Sequence, residues 1–180
     1  IGDKGESIQL STLARKIRIT RRALLADDLS LFSRLFQKFG ARAALMIDAV
    51  AYGVLNSNPN MADGGALFQD VAGRGKNLAT APATVSASTV DIGYQRMMAQ
   101  TASGGSKLGL VPRFLLVGPK NRVAAHILTT SMQDTTATSN ANANSNAFSD
   151  LVAVATPHIS TAWYLIADPA TADTVEVAFL

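Results

Sequence analysis

From Leu24 to Val54, apolar residues recur every three or four positions: Leu24, Leu25, Leu29, Phe32, Leu35, Phe36, Phe39, Ala43, Met46, Ile47, Val50 and Val54. Such spacing draws one apolar stripe down a helix. Thr20 offers an N-cap, and Asp27 with Asp28 predicts a break after a short first turn. The second helix is then expected from Ser30 to Leu55, about 39 Å long at ~1.5 Å per residue. The stretch "NSNPNMADGG" stops it with Asn, Pro and Gly. Upstream, Ile8, Leu10, Ile17 and Ile19 alternate with polar residues, which predicts a strand from Ile8 to Ile19. Residues 11 to 16 blur that alternation and suggest a bend. The glycine-rich, charged "GDKGES" before the strand reads as a loop tip.

Downstream the periods shorten. Residues 63 to 85 read as loop around "GRGKN". A helix is expected from Thr89 to Gln100, capped by Ser88 and ended by "SGG". In "LVPRFLLVGP" four apolar residues lie between a proline and a Gly-Pro stop, the mark of a short strand buried on both faces. A helix should follow from about Asn121 to Thr130. Of the 16 residues in "MQDTTATSNANANSNA", 13 are Thr, Ala, Asn or Ser, too small and polar to build a core, so a mobile surface loop is expected. "LVAVAT", "WYLIA" and "TVEVAFL" predict three closing strands, the last two joined by a turn at "DPATAD". The pattern is α+β, with one long helix standing apart from a mixed sheet-and-helix body.

Length and composition sharpen this picture. The 180 residues suit one large domain or two small ones, and an apolar content of 48 % permits a real core. The first residue is not Met and the last six read as a strand, so the chain is expected to be a piece of a longer protein. No apolar run approaches the ~18 residues of a membrane span. The absence of cysteine excludes disulfides and thiolate metal sites. Charge is uneven: residues 1–42 hold nine Lys/Arg against four Asp/Glu, and the remainder holds seven against nine. A basic first part can meet polyanions, although a solvated face is the ordinary reading.

That charge invites a test for DNA reading. Residues 11–40 could be a helix-turn-helix regulator, and this is the alternative to be weighed. The turn would fall at "RKIRIT", which has no glycine, and the would-be recognition helix does not stop. "VAGRGKN" fails the phosphate-loop pattern, because Asp70 stands where its first glycine belongs and Asn77 where its hydroxyl belongs. A calcium loop around Gly64 would place Pro59 and Met61 at ligand positions. His126 sits among aliphatics on the predicted helix, as a core or edge histidine does. His158 follows Pro157 at a strand end. No Ser or His has the neighbours of a nucleophile or base, so no enzyme, cofactor or metal is expected. Trp163 and Tyr164 are expected in the core.

Four segments carry a resemblance: "RITRRALLADDLSLFSRLFQKFGARAA", "MADGGALFQDVAGRGKNLATAP", "PRFLLVGP" and "WYLIADPATADTVEVAFL". In this order they closely resemble the major head subunit family of Mu-like phages and prophages over residues 15 to 180, departing at "GRGKN", where many relatives carry His-Gly-Asn. The resemblance implies the capsid fold of tailed phages. Residues 1–19 would be the returning part of an extended loop. Residues 20–85 would form the peripheral domain, with a short helix, a spine helix and the following loop. Residues 86–170 would form an axial domain with a mobile loop at 132–147, and 171–180 a strand returning to the peripheral domain.

The implied function is mechanical: copies in hexamers and pentamers tile a closed shell around DNA. The chain would be a virion protein assembled in the bacterial host cytoplasm, touching scaffold and portal proteins but no membrane. Asp3, Lys4 and Glu6 at the loop tip would meet a neighbouring subunit, and Lys4 is a candidate for cross-linking against the simpler reading of a solvated lysine. Arg34, Lys38 and Arg42, spaced four and four, share one helix face off the apolar stripe. In such a capsid they would form an inward-facing strip that neutralises packaged phosphate without reading sequence. Pairing with acidic groups of neighbouring subunits is the rival role.

Overall fold

A computed structural model of the chain describes residues 12, 14, 16, 18, 20–25, 29–70, 76–79, 83–102, 105–130 and 146–172. The loop tip with Asp3, Lys4 and Glu6, the aspartates at 27 and 28, the Thr/Ala/Asn/Ser tract at 131–145 and the last expected strand lie outside these residues. Of the strand expected from Ile8 to Ile19, residues 12, 14, 16 and 18 are described, and none of them is in a strand.

Two helices open the described chain. The first, α1, spans Arg21–Leu25, and the second, α2, spans Leu29–Ser57. The 29 residues of α2 exceed the 26 expected from Ser30 to Leu55, by one at its start and two at its end. It stops at Asn58, whose φ of 46° is left-handed, as expected just past a helix end. Pro59 follows and cannot extend the helix ladder.

The loop after α2 is tied by two asparagines. The Asn58 side chain accepts from the Phe68 amide at 2.6 Å and donates to the Phe68 carbonyl at 3.0 Å. The Asn77 side chain does the same one turn of the loop later, accepting from Gln69 N at 2.9 Å and donating to Leu67 O at 2.7 Å. A side-chain amide carries N–H donors and a carbonyl acceptor side by side, so it can close a backbone pair that no strand supplies. Asn77 is therefore a structural fastener of the loop.

The third helix, α3, spans Ala87–Met98. Its cap is Ser86 and not Ser88. Ser86 Oγ accepts from Thr89 N, and Thr89 Oγ1 accepts from Ser86 N, a reciprocal box that fixes the start two residues before the expected one. Strand β1 (Pro112–Val117) leads through a 3₁₀ turn at Pro119–Asn121 into α4 (Arg122–Thr130). Strands β2 (Val152–Ala155) and β3 (Trp163–Ala167) complete a sheet ordered β2-β1-β3. β1 runs parallel to β2 and antiparallel to β3. After β3, Asp168 holds the expected turn: its carbonyl accepts from the amides of Thr171 and Ala172, and its carboxylate from Ala170 N.

Leu115 and Val117 point to one sheet face, where Val90 of α3 and Ala125 and Leu128 of α4 cover them with Val85 and Leu151. Leu116 points to the other face and is also buried, so the central strand is enclosed on both sides. Trp163 and Leu165 border the first cluster, and Tyr164 meets Phe68 on the opposite face. His126 departs from expectation. It lies on the exposed outer side of α4, because Ala125, Leu128 and Thr129 take the inner side.

Candidate assembly surface on the long helix

The described stripe of α2 comprises Leu35, Phe36, Phe39, Ala43, Met46, Ile47, Val50 and Val54. At ~100° per residue these eight fall within about 120° of the helix circumference. A stripe of this width ordinarily faces a core, but this one faces outward. Phe36 is 65 % exposed and Val50 50 %, with Met46, Ile47 and Val54 all above 36 %. Among the described residues, no other helix or strand packs along α2.

The body touches α2 on its other side, near its end. Tyr52 stacks on His158 with ring centroids 5.2 Å apart. Asn56 Nδ2 donates to the His158 carbonyl at 2.9 Å, and Tyr164 Oη donates to the Leu55 carbonyl at 3.2 Å. Tyr52 lies two residues from both Val50 and Val54, so it stands about 160° round the axis from them at ~100° per residue. The outward stripe is thus turned away from the chain's own body. Burial raises the pKa of the Tyr164 phenol above its ordinary 10.0, so the hydroxyl remains a donor through neutral pH.

Arg34, Lys38 and Arg42 are all exposed on α2. Arg34 precedes Tyr52, and Lys38 precedes Asn56, by five whole turns at ~3.6 residues per turn. Arg34 and Lys38 therefore lie along the line on which the body sits, while Arg42 lies about 40° from Met46, between that line and the apolar stripe. Asp3, Lys4 and Glu6 lie outside the described residues. The reading of residues 11–40 as a DNA-reading motif gains no support, because α2 continues unbroken to Ser57 instead of forming a short recognition helix.

A helix with an uncovered apolar side belongs to a protein that meets others. A family model described as phage capsid protein matches residues 5–180.

The chain belongs to the phage capsid protein family.

No curated protein and no solved structure matches the chain. The mixed helix-and-sheet architecture is compatible with a capsid subunit. Membership assigns this phage capsid protein a structural role in the virion, where it associates with copies of itself. No helix among its described residues is long and apolar enough to cross a membrane.

Four structural contributors escape a reading of the sequence: the Asn58 and Asn77 fasteners, the Ser86–Thr89 box and the Tyr52–His158 stack. Asn58 did leave a signal, standing before a proline where an apolar stripe ends. The stack left none, since its partners are more than a hundred positions apart.

Proposed function

We propose that this protein is the major head subunit of a Mu-like phage or prophage, whose copies assemble into a closed icosahedral shell around DNA. The observation that carries the reading is the uncovered apolar face of α2 in a chain of the capsid family. In water that face costs free energy at about 25 cal/mol for each Å² left exposed, and a neighbouring copy removes the cost. In this reading α2 is the spine helix, residues 1–19 are an extended loop reaching a neighbour, and the β1–β3 body with α3 and α4 is the axial domain. Arg34, Lys38 and Arg42 neutralise packaged phosphate. Assembly takes place in the host cytoplasm with scaffold and portal proteins.

The test is negative-stain microscopy of the expressed chain beside an Ile47→Gln/Val50→Gln variant. The parent should form shells, tubes or capsomer rings. The variant should stay dispersed while keeping the parent's melting temperature, because the replaced side chains lie outside the core. A parent that remains monomeric at all concentrations, or a variant that assembles normally, contradicts the proposal. The basic strip is tested by replacing its three residues with glutamine. Normal empty shells with filled heads that fail at low salt assign the strip to DNA. Loss of the empty shells assigns it to subunit contacts.

A further inference from the structure

Among the described residues, the contacts that tether helix α2 to the body lie near one end. The contacts are the Tyr52–His158 stack, the Asn56 bond to His158 O and the Tyr164 bond to Leu55 O. The first two converge on the loop between β2 and β3. That loop is itself firm: Ile159 is fully buried, Thr156 N donates to Val117 O at 3.0 Å, and His158 N donates to Thr156 Oγ1 at 3.3 Å. Just past the helix, left-handed Asn58 and Pro59 turn the chain at a single point. From residue 34 to residue 50 no side chain of α2 is buried.

We infer that Tyr52, Asn56 and His158 form a latch fixing the angle between α2 and the sheet body, and that α2 swings as a rigid lever about Asn58 when the latch opens. The inference concerns the single chain and is independent of the assembly reading. An α-helix is stiff along its own ladder, so a movement permitted at its end is transmitted along its length. Asn58 and Arg34 are ~36 Å apart at ~1.5 Å per residue, so a tilt of about 10° displaces the far end by roughly 6 Å. The latch consists of one ring stack and a side-chain bond to a carbonyl, while the Tyr164 bond to Leu55 O lies three residues from Asn58 and stays with the pivot. None of the latch's three residues belongs to the core around Leu115 and Val117, so it can open without disturbing that core.

The absence of native cysteine permits a direct test on the full chain. Spin labels at Gln37→Cys on α2 and Ala124→Cys on α4, both exposed positions, report the lever angle as a distance distribution in dilute solution. A second pair, Ala99→Cys with Ala124→Cys, reports the body. The parent should give a narrow distribution for the first pair. Tyr52→Ala/Asn56→Ala should at least double its width while leaving the second pair unchanged, and Tyr52→Phe, which keeps a stacking ring, should restore the parent width. The inference is overturned if the parent is already as wide as the double variant, if the double variant stays narrow, or if Tyr52→Phe widens as far as the double variant. Should the second pair broaden as well, α2 and the body loosen together and the latch is not separable, which also overturns it.

Discussion

Replacing Gly118 with alanine should strike the fold where β1 leaves the sheet. The backbone there, φ −76° and ψ 168°, is open to any residue, so the cost is steric and not conformational. A Cβ added at Gly118 would stand 2.5 Å from the Ser160 carbonyl oxygen and 2.9 Å from its carbonyl carbon, and would also press on the Ile159 carbonyl. Ordinary contact begins at 3.4 Å, so the closest of these two gaps is roughly 0.9 Å too small. Its neighbours are backbone atoms and cannot rotate away. To relieve the clash, the 159–160 segment must move, although Ile159 is fully buried and Asn121 Nδ2 ties Thr161 O at 3.0 Å. Overpacking of movable side chains costs about 1–3 kcal/mol, so a clash with fixed backbone should reach ~3 kcal/mol. At about 2–4 °C per kcal/mol for a chain of 180 residues, the melting temperature should fall by ~6–12 °C. Urea unfolding followed by the fluorescence of Trp163, the sole tryptophan, measures the effect in the right place. Gly40→Ala is the counter-case. Gly40 is a helical glycine with nothing within 4 Å of an added Cβ, so alanine should stabilise α2 by about 0.5–1 kcal/mol. A Gly118→Ala protein within ~0.5 kcal/mol of the parent would refute the close-crossing argument.

Two further outcomes are expected. Ser86→Ala removes half of the capping box and should cost ~1 kcal/mol in the same urea assay; an unchanged midpoint would mean that α3 does not depend on its cap. Tyr94 and Tyr164 both have pKa values raised above 10.0, by burial in each case and for Tyr94 also by the negative charge of Asp150. The folded state therefore holds these phenol protons more tightly than the unfolded chain. The resulting stability is fully present below pH 10.0 and is lost as pH rises through the raised folded values. The urea midpoint should fall across that alkaline window, and a Tyr94→Phe/Tyr164→Phe variant should flatten the fall. An equal slope in the variant would place the titrating groups elsewhere.

How far the fold could be read in advance depended on whether a feature was local. The stripe from Phe36 to Val54 announced α2 because a helix repeats its face every few residues. The run Phe114–Val117 announced a central strand because burial on both sides leaves no room for polar alternation. The α3 cap was missed by two residues because both Ser86 and Ser88 offer a hydroxyl, and only the position of Thr89 makes the bond reciprocal. Gly118 gave no sign, since its need for a missing side chain comes from Ile159 and Ser160 some forty positions later. The candidate surface was half legible. The stripe was plain, but an apolar stripe does not reveal whether it faces a core or the outside. That distinction rested on Tyr52 and Asn56, whose partners lie 102 or more positions away.

The one-ended attachment of α2 also divides the chain by amide exchange. Amides of β1 open only when the sheet opens, whereas those of the α2 midsection are guarded by one helix ladder that no described element covers, so they exchange through local opening. In the free subunit, deuterium should enter residues 34–50 long before it enters Phe114–Val117. Contact with another copy would slow the first set and leave the second unchanged. Formation of the shell would then add protection to a helix that is already formed, and exchange at its midsection would report the share of copies that have met a partner.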